Sequence, residues 1–181
     1  NIRILLTTGL SKDHEAQEHI RLHGDGVKDI AFTVFDAEKA FNRAVENGAE
    51  IAYEPYTVED DNGTVTRAGI KTYGQVIHSF VSRTGDYALP NVKHGNTILP
   101  GFAQMTHPLN KFNEDNPCGL KFLDHCVGNV ELNGMNKAVD WYENVLEFSM
   151  FKHFDDEDIS TEYSALMSKV MSSGGGLIKF P

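Results

Sequence analysis

The chain has 181 residues, room for one medium domain or two small ones, with 16 Lys+Arg against 26 Asp+Glu and a formal net charge of −10. That charge argues against a nucleic-acid or anionic-membrane partner, both being polyanions. No apolar run reaches the roughly 18–20 residues that cross a bilayer, no leader peptide is visible, and two cysteines eight positions apart, Cys118 and Cys126, form neither a disulfide framework nor a C-x-x-C site. A reduced, cytoplasmic setting is the expectation.

Ile2–Thr8 is rich in leucine and β-branched residues and reads as a strand. Ser11–His23 is polar, opens on Ser and is followed by Gly24, which predicts a helix. Val27–Val34 reads as a strand. Asp36–Gly48 reads as a helix with an Asp cap and a Gly stop, its apolar positions Ala37, Ala40, Phe41, Ala44 and Val45 falling at helical spacing. Three further strands follow up to Gly85, the first two joined at the hairpin signal Asp61-Asn62-Gly63. Residues 86–116 hold Pro90, Pro100 and Pro108 and little periodicity, so they read as a linker.

After the linker the pattern restarts. Residues 120–132 predict a strand and Asn133–Ser149 a helix with an apolar face of Met135, Val139, Tyr142, Val145 and Leu146. Strands at Met150–Asp155 and Thr161–Met171, a glycine turn and a strand at Leu177–Phe180 complete the second half. Both halves have the order βαβββ, an internal repeat. Laying Val27–Val34 on Leu123–Val130 sets Asp29 opposite His125. The fold class is α+β, made of repeated βαβββ modules. Modules of this kind expose a sheet face, so they pair to bury it. The domains are 1–85, the tail of one module plus a whole one; the linker 86–116; and 117–181, a truncated module. The chain starts without Met inside one strand and stops just after another, so an internal piece of a longer protein is expected.

Several motifs invite a chemical reading. "HEAQEH", His14–His19, has one residue too many for the H-E-x-x-H zinc motif, whose histidines need i, i+4 spacing on one helical face. His19 and His23 have that spacing but no third ligand nearby, so a solvated helix is expected. Gly174–Gly176 precedes no helix N-terminus and reads as a hairpin loop rather than a phosphate cradle. Asp155–Asp158 lacks the alternating ligands of a calcium loop. His125 sits mid-strand. Alternation puts it on one face with Leu123, Val127 and Asn129, opposite Asp124, Cys126, Gly128 and Val130. On spacing alone it reads as a core histidine. Ser164, Leu166, Ser168 and Val170 share a face of a later strand. An apolar wall with a few polar groups is what a small-molecule cleft needs.

The segments "LDHCVGNVELNGMNKAVDWYENVLEF", "DISTEYSALMSKV" and "IKFP" closely resemble the 4-hydroxyphenylpyruvate dioxygenase family of the vicinal-oxygen-chelate superfamily; "HGDGVKDIAFTV" and "KTYGQVIHSFVSRTG" resemble that family's N-terminal domain. The resemblance implies four modules, of which this chain holds the tail of the first, the second and most of the third. It implies an Fe(II) site of two His and one Glu, the facial triad that leaves open positions. His125 matches the first histidine. The second His and the Glu are expected beyond Pro181; His107 and His153 match neither. No catalytic residue beyond the metal site is expected within this chain. Ser164, Val127 and Leu166 map onto the substrate pocket. The N-terminal modules carry no metal in the family, so Asp29 is expected to be structural, in a domain that serves structure or oligomerisation.

The implied reaction belongs to tyrosine and phenylalanine catabolism. An Fe(II)-dependent oxidoreductase, a dioxygenase, converts 4-hydroxyphenylpyruvate and O2 to homogentisate and CO2, in a homo-oligomer, and the 181-residue piece alone is inactive. Two alternatives are a 4-hydroxymandelate synthase, which oxidises the side chain of the same substrate, and a metal-free ligand-binding protein of the same superfamily.

Overall fold

A two-residue turn, Asp61-Asn62, anchors the first half of the fold. The computed structural model describes residues 3–88, 97–103, 105, 107–154 and 167–181. The turn joins β2 (Ile51–Asp60) to β3 (Gly63–Lys71), with Asp60 paired to Gly63. Gly63 has φ +140°, and a Cβ there would lie 2.5 Å from the carbonyl oxygen of Thr84, so only glycine fits. β4 (Ile77–Arg83) lies antiparallel to β3. β1 (Phe32–Thr33) runs parallel to β4, giving the order β1-β4-β3-β2.

The chain divides into two units by contact, residues 1–42 with 51–122, and residues 43–50 with 123–181. In the first, α1 (Glu15–His23) starts where the His14 ring accepts from the Ala16 amide and stops at Gly24, φ +70°. The helix is not wholly solvated: His19 is buried. α2 (Ala37–Glu46) is capped by Asp36, whose carboxylate accepts from the Lys39 amide at 2.9 Å, as the sequence predicts. Its expected apolar stripe supplies buried Ala37, Phe41 and Ala44. Val65, Val81 and Tyr87 form a buried cluster with Val58 and Leu99 packed against it. Tyr87 and Leu99 belong to the segment read as a linker. Tyr87 sits on a 3-10 turn, Gly85–Tyr87, and its hydroxyl donates to Asp60 at 2.6 Å. The same segment holds a short helix, α3 (Leu109–Asp115), that weak periodicity did not reveal.

The strand expected at Ile2–Thr8 is not formed over residues 3–8, and Ile4, Leu5 and Leu6 are exposed. Strand-like composition makes no strand without a partner to accept its backbone groups.

In the second unit, α4 (Met135–Leu146) buries Val139, Tyr142 and Val145, three of the five residues expected on its apolar face. The sheet is β5 (Ser149–Phe154), β6 (Ser168–Ser172) and β7 (Lys179–Phe180), in the order β5-β6-β7, all antiparallel. The Tyr142 ring stacks on Phe180 with centroids 5.2 Å apart, joining helix to sheet. The strand expected at Thr161–Met171 lies mostly outside the described residues.

Residues 120–132 form no regular strand. Their backbone still docks on β7: the Cys126 amide donates to Lys179 O at 3.2 Å and the Gly128 amide to Pro181 O at 3.0 Å. Steps of two residues in the same direction on both sides are one half of a parallel ladder. Two such bonds fall short of a strand but fix its place beside β7. The second unit thereby repeats the topology of the first, a parallel leading segment beside the last strand of an antiparallel meander.

Candidate metal centre

Burial alternates along the docked segment. Cys126, Gly128 and Val130 are partly buried; His125, Val127 and Asn129 are exposed. This is the face assignment expected from period-two alternation, and it leaves the His125 imidazole half exposed, with apolar Leu123 and Val127 also open on the same side.

The His125 ring is held from one end. Its Nδ1 lies 2.9 Å from Asp124 Oδ2, and the other oxygen of that carboxylate accepts from Lys179 Nζ at 3.1 Å. These two partners, His125 first and Lys179 second, hold the Asp124 carboxyl below the usual carboxylate range. Asp124 is therefore ionised at neutral pH and only accepts, so the hydrogen sits on Nδ1. Nε2 is left as the ring nitrogen available to a metal, and an imidazole ligand suits iron. The residues present fit one corner of an iron site. Among the described residues no group of three His, Cys, Asp or Glu side chains stands close enough to hold a metal by itself.

The matching position of the first unit can be read from hydrogen bonds alone. There the Ile30 amide donates to Ile77 O at 3.1 Å, as Cys126 donates to Lys179 O. Ile30 thus corresponds to Cys126, Asp29 to His125, Lys28 to Asp124 and Ile77 to Lys179. The structural register reproduces the pairing of Asp29 with His125 found in the sequence repeat.

Asp29 is engaged on several sides. Its Oδ1 accepts from the Ser79 amide at 3.1 Å, and its Oδ2 accepts from Ser79 Oγ at 2.6 Å and from Arg67 at 3.5 Å. Because Ser79 spends its hydrogen on Asp29, the Tyr53 hydroxyl donates to Ser79 Oγ, at 2.5 Å. Burial raises the Asp29 carboxyl, and the Ser79 and Arg67 contacts pull it back. A carboxylate so engaged is a structural knot.

Of the other expected site residues, Val127 lies on the His125 face, and Ser164 and Leu166 fall outside the described residues. Asp124 and Lys179 went unnoticed in the sequence. The signal was an acid directly before the histidine, which carries no weight until the fold brings Lys179 beside it.

No protein-family model matches the chain. Curated relatives do. It is 42% identical over 177 residues to a 4-hydroxyphenylpyruvate dioxygenase of Tetrahymena thermophila, covering 96% of this chain and 41% of that protein. The same-named protein of Aspergillus fumigatus is 43% identical, over 92% of this chain and 40% of the relative. That of Dictyostelium discoideum is 38% identical, over 100% and 48%. The chain is related to the 4-hydroxyphenylpyruvate dioxygenases. It spans less than half the length of each of these three.

Solved structures agree on the fold. A triple mutant of 4-hydroxymandelate synthase from Streptomyces coelicolor superposes with a TM-score of 0.66 at 20% identity, over 94% of this chain and 44% of that one. A xylose isomerase-like TIM barrel/4-hydroxyphenylpyruvate dioxygenase fusion protein gives 0.51 at 16%, over 92% and 23%. The similarity to 4-hydroxyphenylpyruvate dioxygenases extends over both units, and the fold is the one these two solved structures share.

Proposed function

We propose that this chain is part of an Fe(II)-dependent 4-hydroxyphenylpyruvate dioxygenase that forms homogentisate and CO2 from 4-hydroxyphenylpyruvate and O2. The observation that carries the reading is identity of about 40% to dioxygenases of that name across nearly the whole chain. The geometry adds a half-exposed imidazole whose Nδ1 is engaged and whose Nε2 has no hydrogen bond among the described residues.

His125 supplies one iron ligand through Nε2. A second His and a Glu, from sequence following Pro181, supply the others. Bound iron supplies the Lewis acidity and redox capacity for the oxidative decarboxylation and ring hydroxylation. The residues of this chain hold His125 in place and provide an apolar wall at Val127. Ser164 and Leu166 are proposed to face the substrate as a hydroxyl and an apolar contact. A cytoplasmic homo-oligomer is part of the same reading; no described helix is long and apolar enough to cross a membrane.

The test uses the intact protein that contains this chain. Iron content is measured with and without His125→Ala, and the product from 4-hydroxyphenylpyruvate is identified by chromatography. Bound iron lost in the variant, with homogentisate as product, supports the reading. 4-Hydroxymandelate as product replaces it with the synthase, and an iron-free intact protein replaces it with a ligand-binding function.

A further inference from the structure

We propose that Asp124, clamped by Lys179, is a positioning residue for the His125 ligand, fixing both the tautomer and the direction of the imidazole. The inference rests on the reading of His125 as a metal ligand and deepens it.

One Asp124 oxygen accepts from His125 Nδ1 at 2.9 Å; the other accepts from Lys179 Nζ at 3.1 Å. Asp124 is exposed and would otherwise be free to rotate away. Lys179, more buried than its partner, pins the carboxylate from the neighbouring strand. Lys179 is itself placed by the backbone bond from the Cys126 amide. Four residues thus close a loop: backbone from 126 to 179, ion pair from 179 to 124, hydrogen bond from 124 to 125.

The chemical consequence is directional. An imidazole in water favours the Nε2–H tautomer, which places the hydrogen on the nitrogen required for ligation. A carboxylate at Nδ1 reverses that preference and presents a bare Nε2.

The first unit serves as an internal control. At the corresponding three positions it has Lys28, Asp29 and Ile77. Lys28 Nζ goes instead to the Gln75 carbonyl at 2.9 Å, and Asp29 is taken up by Ser79 and Arg67. Where the imidazole is missing, the acid before it and the lysine across from it are missing too. The backbone register is common to both units, so folding does not call for the Asp–Lys pair. The pair accompanies the histidine.

Two measurements test this. The tautomer of His125 is read from long-range 15N–1H correlations on the labelled, iron-free intact protein at pH 8. The expected result is Nδ1–H in the unaltered chain and in Asp124→Asn, which keeps an acceptor oxygen, and mainly Nε2–H in Asp124→Ala. Anaerobic Fe(II) affinity is then measured on the intact protein. Asp124→Ala is expected to weaken it about 10–100-fold, and Lys179→Met by a smaller factor in the same direction. An Nε2–H tautomer in the unaltered chain overturns the proposal. So does unchanged Fe(II) affinity in Asp124→Ala when His125→Ala abolishes binding; the dioxygenase reading then stands without it. Fe(II) affinity that survives His125→Ala overturns the ligand reading and this proposal with it.

Discussion

Asp29 and His125 occupy one position in two copies of the same motif: each directly precedes the residue whose amide donates to the first residue of the unit's last strand, Ile30 to Ile77 and Cys126 to Lys179. The fold imposes the position and leaves its chemistry open. In one copy the side chain is tied inward to a serine and an arginine. In the other it is held at one end with the opposite end exposed.

The Asp29 knot is expected to contribute stability. Asp29→Ala removes the acceptor that the Ser79 amide and hydroxyl now use and the carboxylate that Arg67 faces. Leaving such groups unpaired costs about 1–3 kcal/mol. Urea denaturation of the chain should show a lowered midpoint with an unchanged slope. Fe(II) affinity of the intact protein should not change, and a loss of iron would contradict the structural role.

Gly69 faces the same knot from β3. A Cβ there would fall 2.3 Å from the Tyr53 ring, a distance no packing tolerates. Gly69→Ala must push Tyr53 aside and break its donation to Ser79. Overpacking of this kind costs about 1–3 kcal/mol. Because both lesions act on one network, the double variant Gly69→Ala/Asp29→Ala should lose less than the sum of the single losses. Strict additivity in the double-variant cycle would show the two sites to be independent.

His78 predicts a pH dependence. It is fully buried, its Nδ1 donates to Ile30 O at 2.9 Å, and burial lowers its pKa from 6.5 to about 4. The folded pKa lies below the unfolded one, so the unfolded chain takes up the proton first. The stabilising contribution is full above pH 6.5 and is lost as pH falls towards 4. The ceiling is roughly 3 kcal/mol. Asp29, raised by burial, acts in the opposite sense at the acid end of this window and blunts the loss. Urea stability measured from pH 7 to 4 should fall in the unaltered chain and fall less in His78→Gln. Equal slopes would remove His78 as the cause.

Chemistry requires more than His125. The 181-residue chain supplied with Fe(II), 4-hydroxyphenylpyruvate and O2 should release no CO2, because one imidazole does not make a facial triad. Measurable turnover would place the other ligands among these residues.

Much of the fold was legible in the sequence where periodicity met a cap. The stripe of Ala37, Phe41 and Ala44 behind Asp36, and the turn at Asp61-Asn62, left little choice. Arg3–Thr8 misled because β propensity records how a side chain suits a sheet, and no described strand lies beside it. Residues 120–132 misled more instructively. Their alternation was real and set the His125 face, yet among the described residues only two of their amides pair with the neighbouring segment. The site was legible as far as one histidine. Asp124 and Lys179 are 55 residues apart, and nothing local in either reports that they meet. Tyr87 escaped notice for a similar reason, its core partners Val65 and Val81 lying in other strands.

Each βαβββ repeat joins its leading segment to its last strand. His78 reaches back 48 residues to Ile30, and Lys179 reaches back 55 to Asp124. On a ribosome adding roughly 5–20 residues per second, the His125 segment leaves the exit tunnel seconds before any strand exists to receive it. During that interval Cys126 and Gly128 keep bare amides, and the imidazole has its acid neighbour but no lysine to steady it. The His125 corner is therefore among the last parts of its unit to acquire a shape. A pause in translation between α4 and β7 should leave residues 123–130 the most readily cut by protease.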